Sequence, residues 1–279
     1  MEFQWYPGHM TKAKRQMQED IKLIDLVIEV IDARCPISSR NPDINNLANG
    51  KLRLILLNKS DLSDRAVNQK WIEFFKDQGF YCVELDSRDR KNMKGVQATL
   101  DEVCAAKFEK DRKRGIKNRP VRAMVVGIPN VGKSTFINSF AGRAVAKTGN
   151  KPGVTKGKQW IKLNKSVELL DTPGILWPKF EDNTVGLHLA FIGSINDAIV
   201  ESRELSLELV DFLKRDYPGA LNSRYDVDES TVNHEIVTEI AKNRNFVKKG
   251  SELDFDKAAN VLIDEFRNGN LGKISLERP

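Results

Sequence analysis

One segment determines the fold class of this chain: Gly127-Ile-Pro-Asn-Val-Gly132-Lys133-Ser134. It matches the pattern G-x-x-x-x-G-K-[ST] at every fixed position, follows an apolar run over residues 123–126 and leads into a helical pattern. Glycines let backbone N–H groups surround phosphate oxygens, the lysine reaches the β- and γ-phosphates, and the serine hydroxyl ligates Mg²⁺. The stretch therefore predicts a phosphate-binding loop between a strand and a helix. Its expected nucleotide contacts are Asn130, Val131, Gly132, Lys133, Ser134 and Thr135, with Lys133 also a catalytic candidate.

Two further segments are expected to complete the phosphate and metal site. Asp171-Thr-Pro-Gly174 follows the apolar run 167–170, so Asp171 is expected to hold Mg²⁺ through water and the Gly174 N–H to contact the γ-phosphate. Between this segment and the phosphate-binding loop, Thr155 is expected to supply one more hydroxyl to Mg²⁺ when GTP is bound. Thr148 is the competing candidate, and either residue can instead be an ordinary loop threonine.

A base-reading motif, Asn58-Lys59-Ser60-Asp61, follows the apolar run 52–57, at a strand end where α/β sheets bind ligands. The Asp61 carboxylate can accept hydrogen bonds from guanine N1–H and the 2-amino group. Adenine offers neither donor, so such a site can discriminate by ~10⁴ or more. Asn58 is expected to orient the loop and contact the purine, and the Lys59 stem to cover the ring.

The motifs match one chemistry, GTP binding, but they run in an unusual order. The base-reading motif precedes the phosphate-binding loop, whereas an ordinary GTPase has the phosphate loop first. A parallel sheet tolerates this permutation provided that each crossover is kept. Ser87, after the apolar run 81–85, would lie where a backbone N–H can contact guanine O6. The order also places Gly174 directly before the C-terminal region, so we expect the nucleotide state to reposition that region.

Apolar runs that alternate with helical periodicity predict an α/β fold with a mostly parallel sheet. Strands are predicted at residues 26–31, 52–57, 81–85, 123–126, 160–163 and 167–170, and helices at 66–78 and 93–108. After about residue 177 only helical periodicity remains, with a helix cap predicted at Ser251. We expect a circularly permuted P-loop G domain with an N-terminal extension over residues 1–177, and a small all-α domain over 178–279.

The composition is that of a globular protein with excess positive charge. The chain has 279 residues, 40% of them hydrophobic, and 45 Lys and Arg against 39 Asp and Glu. This content supports a sizeable core, and the net charge of +6 suggests an anionic partner such as nucleic acid, or merely aids solubility. The three cysteines are not spaced as a metal cluster and are expected to be reduced. No apolar run reaches the ~18 residues of a membrane span, and the N-terminus lacks a signal-peptide pattern, so we expect a cytoplasmic protein with no membrane partner.

A strongly basic segment, residues 107–120, separates the two groups of apolar runs. Its pattern is typical of a solvated helix end followed by a linker, which is the interpretation we favour. The alternative is a basic patch that contacts RNA phosphate.

The motif order closely resembles that of the YlqF/RbgA family of circularly permuted GTPases. Trp5-Tyr-Pro-Gly-His-Met10 and Asp32-Ala-Arg-Cys-Pro36 add to the resemblance, which covers essentially the whole chain. It implies a bacterial factor for late assembly of the large (50S) ribosomal subunit, with ribosomal RNA and ribosomal proteins as partners. It also implies a C-terminal helical domain that helps to bind ribosomal RNA, and a slow GTPase activity that the ribosomal particle stimulates.

The position after Gly174 is Ile175, where many GTPases carry a glutamine that orients the attacking water. The family resemblance places a catalytic histidine at His9, and imidazole is suited to positioning water near neutral pH. Asn130 matches GTPases that bind K⁺ at this loop, although it can instead only stabilise the turn. The basic residues that follow His9, namely Lys12, Lys14 and Arg15, either contact ribosomal RNA or form a solvated helix face.

Three functions are compatible with these features. The favoured one is a monomeric GTPase that acts on the large ribosomal subunit. The second is a GTP-dependent switch for another RNA or protein partner, and the third is an RNA-binding scaffold with an inert nucleotide site.

Overall fold

The computed structural model describes residues 15–116, 119–145, 160–162, 166–170, 182–195 and 200–279. The chain forms two compact units. The first comprises Met1–Asn183 together with Ser275–Pro279, and the second comprises Thr184–Ile274. The boundary predicted near residue 177 lies outside the described residues. At the C-terminus the division differs from the predicted domain 178–279, because the last five residues pack with the first unit.

The first unit is built on a six-stranded sheet with the order β3-β2-β1-β4-β6-β5. The pairs β1–β2, β1–β4, β2–β3 and β4–β6 are parallel, and β5 is antiparallel to β6. The strands are β1 Leu26–Asp32, β2 Leu52–Asn58, β3 Tyr81–Leu85, β4 Val121–Val126, β5 Trp160–Lys162 and β6 Val167–Leu170. The predicted α/β fold with a mostly parallel sheet is confirmed, and all six predicted strands are present within two residues at each end.

Every residue of β1 is buried, as expected for a central strand covered on both faces. The helices of the first unit are α1 over residues 15–20, α2 Asp43–Leu47, α3 Arg65–Asp77, α4 Met93–Lys113 and α5 Lys133–Ala141. Short 3₁₀ turns lie at Ile21–Leu23 and Arg90–Asn92. The helix predicted at 93–108 thus extends five residues beyond its predicted end, within the basic segment.

The second unit is helical, and its helices are α6 Asn183–Phe191, α7 Ser202–Asp216, α8 Ala220–Tyr225, α9 Asn233–Asn243 and α10 Phe255–Arg267. Its core comes from apolar positions at helical spacing, which include Leu205, Leu209, Leu213, Ile236, Ile240, Leu262 and Phe266. The predicted cap at Ser251 is wrong, because the side chain of Asp254 accepts the capping hydrogen bond from Lys257 N. Among the described residues of this unit, β pairing is limited to one isolated bridge between Val247 and Leu253.

The last five residues, Ser275–Pro279, form a C-terminal strap on the first unit. The Glu277 carboxylate accepts hydrogen bonds from the backbone N–H groups of Ile37 at 2.7 Å and Ser38 at 3.0 Å, and from the Ser38 hydroxyl. In return, the Arg34 carbonyl accepts from the N–H of Leu276 at 2.7 Å. The strap therefore fixes the loop that follows β1.

Candidate nucleotide-binding site

The two nucleotide motifs lie beside each other at the carboxyl end of the parallel sheet. β1 and β2 end in register, with Asp32 opposite Asn58, and β4, which pairs with β1, ends at Val126 directly before the phosphate-binding loop. Ligand sites of open α/β sheets form at this edge, because loops of neighbouring strands converge there. The fold thus brings together motifs that are about 70 residues apart in the chain.

Asn58 connects the base-reading motif to the phosphate-binding loop. Its side-chain Nδ2 donates to the Val131 carbonyl at 2.6 Å. Its Oδ1 accepts from the backbone N–H of Ser87 at 3.0 Å and from the Ser87 hydroxyl at 2.6 Å. Asn58 is 1% exposed, so these three bonds are shielded from water. One buried amide therefore fixes the relative positions of three loops.

Both fixed glycines of the phosphate-binding loop are required by space as well as by conformation. Gly127 has φ +154, and an added Cβ would overlap the carbonyl oxygen of Val30. Gly132 has φ +97, and an added Cβ would overlap the side-chain nitrogen of Asn58. L-residues with side chains rarely adopt these conformations. Glycine is thus required at both positions of the pattern, by close contact with β1 at Gly127 and with Asn58 at Gly132.

The remaining residues of this loop lie at the start of α5, which begins at Lys133. Lys133 is 9% exposed, and its ammonium donates to the Ile128 carbonyl at 2.6 Å, within its own loop. Ser134 and Thr135 follow in the first turn and are half-buried. Asn130 has φ +62, a left-handed conformation that asparagine tolerates better than most residues. The turn role considered for Asn130 is therefore compatible with its backbone.

A buried ionic network is connected to the base-reading motif through Lys59. Arg34 Nε and Nη2 donate to the two carboxylate oxygens of Asp32, each at 2.9 Å, and the Lys59 ammonium lies 3.1 Å from Asp32 Oδ2. Burial alone would raise the pKa of Asp32, but Arg34 and Lys59 outweigh it and hold that pKa well below its usual range. The network keeps Asp32 ionised and holds the end of the Lys59 side chain.

Asp61, the predicted guanine contact, faces an arginine in this structure. Arg88 Nη2 donates to Asp61 Oδ2, and the same guanidinium is paired with Asp86. Asp61 Oδ1 is buried and accepts no hydrogen bond from any residue between 15 and 279 that the structure describes. The carboxylate is thus positioned by one donor and has one oxygen without a described donor.

Several predicted site residues lie outside the described residues. They are His9, Thr148, Thr155, Asp171, Gly174 and Ile175. Asp171 follows Leu170, which is the last residue of β6 and pairs with Met124 of β4. In the part of the chain that is described, no group of three His, Cys, Asp or Glu side chains is arranged to hold a metal ion.

Comparison with known proteins finds relatives that match along nearly the whole chain. A family model described as 50S ribosome-binding GTPase matches residues 122–246. Ribosome biogenesis GTPase A from Bacillus cereus is 45% identical, with 100% of this chain and 95% of the relative covered. The protein of the same name from Thermotoga maritima is 32% identical over 99% of this chain and 94% of its own length. This chain belongs to the ribosome biogenesis GTPase A family.

Solved structures of YlqF have the same fold as this ribosome biogenesis GTPase A family member. A GDP-bound YlqF structure aligns with a TM-score of 0.68 at 28% identity, with 95% of this chain and 99% of that chain covered. The GNP-bound structure of YlqF from T. maritima aligns with a TM-score of 0.67. The chain is therefore a GTP hydrolase of ribosome biogenesis. Among its described residues, no helix combines the length and apolar character needed to cross a bilayer.

Three features of this GTPase site were absent from the sequence-based prediction. The Ser87 N–H and hydroxyl both donate to Asn58, so Ser87 supports Asn58 here, and its predicted contact with guanine O6 would require that N–H to be released. The pairing of Arg88 with Asp61 and the buried Asp32–Arg34 pair were also missed. The quoted Asp32-Ala-Arg-Cys-Pro36 segment contained the signal for the last of these, since its acidic and basic residues follow a buried strand.

Proposed function

We propose that this GTPase binds the assembling large (50S) ribosomal subunit and hydrolyses GTP to promote late maturation of that particle. The observation that carries the proposal is the Asn58 bridge, which joins a guanine-type motif to a phosphate-binding loop. The match to a model of 50S ribosome-binding GTPases supports the choice of particle. A scaffold with an inert site is less compatible with so closely fitted a loop.

In this proposal the guanine base is read by Asp61, with Asn58 and Lys59 as its supports. The carboxylate of Asp61 accepts from N1–H and the 2-amino group of guanine. Asn58 is already committed to Val131 and Ser87, so its main role is to hold the base-reading loop against the phosphate-binding loop. The ion pair of Lys59 with Asp32 restrains the end of its side chain, which favours packing of the stem against the base.

The phosphates are bound by the loop N–H groups from Asn130 to Thr135, by Lys133 and by the Gly174 N–H. Lys133 now donates to a carbonyl of its own loop, so phosphate oxygens would replace that carbonyl or share the ammonium with it. The Ser134 hydroxyl, in the first turn of α5 beside this loop, is a hard oxygen donor of the kind that Mg²⁺ prefers. Thr155 and Asp171 would complete the Mg²⁺ ligands, and the ion would offset negative charge on the phosphates.

Hydrolysis in this proposal depends on a group outside the G-domain motifs. The side chain of Ile175 can neither donate nor accept a hydrogen bond, so it cannot orient water as a glutamine would. His9 supplies that function, and it does so when the ribosomal particle places the N-terminal segment near the nucleotide. A K⁺ ion at Asn130 would add positive charge next to the phosphates during hydrolysis.

The uneven charge of the chain indicates where ribosomal RNA would be contacted. Residues 184–274 contain 11 Lys and Arg against 16 Asp and Glu, a net charge of −5. The other residues contain 34 against 23, a net charge of +11. Because contact with phosphate dominates the affinity of proteins for nucleic acid, this balance favours the first unit as the main electrostatic contact. The RNA-binding role expected of the helical region would then depend on local side chains and shape.

The basic end of α4 is the clearest described part of that surface. Its exposed cations follow one another within five residues: Lys110, Arg112, Lys113 and Arg114. Lys113 pairs with Glu109 at 2.8 Å, but both side chains are more than half exposed, and such a pair is easily replaced by phosphate contacts. The structure therefore supports a larger role for this segment than the solvated linker that the sequence favoured.

Sedimentation with purified large-subunit particles tests the proposed partner. We expect the protein to sediment with these particles in the presence of a non-hydrolysable GTP analogue, more than with GDP, and not with small subunits. The double variant Arg112→Glu and Arg114→Glu should weaken this binding and its dependence on salt. A matched double variant in the second unit, Lys242→Glu and Lys249→Glu, should have the smaller effect. Equal sedimentation with both subunits, or none, would contradict the proposal.

A further inference from the structure

Arg88 holds the carboxylate that is proposed to read guanine. Its Nη2 donates to Asp61 Oδ2 at 2.5 Å, and its Nε donates to Asp86 Oδ1 at 3.1 Å. The backbone N–H of Arg88 also donates to Asp86 Oδ1, at 2.9 Å. The Arg88 side chain is 67% exposed and that of Asp61 is 30% exposed. The guanidinium is therefore anchored on Asp86, and its contact with Asp61 lies at the surface, where it can be exchanged.

The two oxygens of the Asp61 carboxylate are in different situations. Oδ2 accepts from Arg88, whereas Oδ1 is buried and has no donor among the residues that the structure describes. A buried acceptor without a donor is unfavourable, so a base that displaces the atoms now covering Oδ1 and donates to it gains the most. A single N–H from a bound base is thus enough to give both oxygens a donor.

Guanine and hypoxanthine differ in one donor at this edge. Guanine presents N1–H and a 2-amino group side by side, and hypoxanthine presents N1–H alone. When guanine binds, its 2-amino group has to displace Arg88 from Oδ2 or share that oxygen. When hypoxanthine binds, N1–H satisfies Oδ1 and Arg88 stays on Oδ2, so the missing 2-amino group leaves no unpaired oxygen.

We propose that Arg88 substitutes for the 2-amino group and thereby allows this site to bind inosine nucleotides as well as guanine nucleotides. The proposal rests on the reading of guanine by Asp61. Its consequence is that the wild-type protein discriminates less between GDP and inosine diphosphate than its base-reading motif would allow. Arg88 is then a specificity-determining residue, although it lies outside the four residues of that motif.

The test compares the affinities of the full-length protein for GDP, inosine diphosphate and ADP by calorimetry. For Arg88→Ala we expect GDP affinity to stay within about twofold of wild type, and the preference for GDP over inosine diphosphate to rise about two- to fivefold, since exposed ion pairs contribute little. Arg90→Ala, which removes another exposed arginine two residues away, should leave the preference unchanged. Raising the salt concentration should move the wild-type preference towards that of Arg88→Ala, because salt screens exposed pairs.

Two results would overturn the inference while leaving guanine reading intact. One is an unchanged preference in Arg88→Ala, and the other is an equal loss of affinity for both diphosphates, which would assign Arg88 to loop support. If the wild-type protein does not prefer GDP to ADP, the reading of guanine by Asp61 fails first, and the proposal for Arg88 fails with it.

Discussion

Replacing Asn58 with alanine removes the link between the base-reading motif and the phosphate-binding loop. The change deletes three hydrogen bonds and leaves the Val131 carbonyl and the Ser87 N–H without the partner they have in this structure. Each of these two buried groups left unpaired costs about 1–3 kcal/mol, so the total is on the order of 2–6 kcal/mol. Part of this cost falls on stability and part on binding, because a nucleotide must then order both loops itself.

Calorimetric titration with GDP and with a GTP analogue measures the binding part. We expect Asn58→Ala to lose roughly 10- to 100-fold in affinity for both ligands, since each factor of ten corresponds to about 1.4 kcal/mol. Asn46→Ala, an exposed asparagine of α2, serves as the control and should bind like wild type. Asn58→Asp is a sharper variant, because it keeps Oδ1 for Ser87 but turns an oxygen towards the Val131 carbonyl. An affinity of Asn58→Ala within twofold of wild type would refute the linking role.

Three further predictions concern stability, reactivity and ions. Glu277→Ala should lower the free energy of unfolding of the first unit by about 1–3 kcal/mol, because two backbone N–H groups lose a charged acceptor. Glu73→Ala, which changes an exposed glutamate, should not lower it. Equal urea midpoints for the two variants would argue against a stabilising role of the strap. Burial raises the pKa of the thiols of Cys35, Cys82 and Cys104, to about 12 for Cys82 and about 11 for Cys104. Alkylation by iodoacetamide at pH 8 should therefore be slow in the folded protein and should accelerate at higher pH or on unfolding. Fast labelling of the native chain would contradict this prediction. Steady-state GTP turnover should be faster in K⁺ than in Na⁺ at equal ionic strength, and equal rates would remove the K⁺ proposal at Asn130.

The strands and the two nucleotide motifs could be predicted because their signals are local. Runs of buried aliphatic residues end in polar loops, and the glycines at 127 and 132 mark places where a Cβ would collide with neighbouring atoms. Helix α4 was predicted too short because its apolar periodicity stops at Phe108. Beyond that point, ion pairs of Lys107 with Asp111 and of Lys113 with Glu109 accompany the continuing helix.

Other features could not be predicted because they join residues that are distant in sequence. The strap is a short segment without periodicity, and its partners lie about 240 residues earlier. The pairing of Arg88 with Asp61 depends on β2 and β3 being neighbours in the sheet, which brings their terminal loops together. The cap at Asp254 was missed in favour of Ser251, which in the structure has φ +65 and precedes the helix by four residues.

Steady-state GTP turnover with and without purified large-subunit particles is the most direct test of whether this GTPase acts on the large subunit. We predict a slow rate for the free protein, a many-fold increase when large-subunit particles are added, and no increase with small subunits. His9→Ala should lose the stimulated rate and keep GDP affinity. A turnover that the particles leave unchanged would contradict the claim that this GTPase acts on the large subunit, and an unchanged stimulated rate in His9→Ala would remove the role proposed for that histidine.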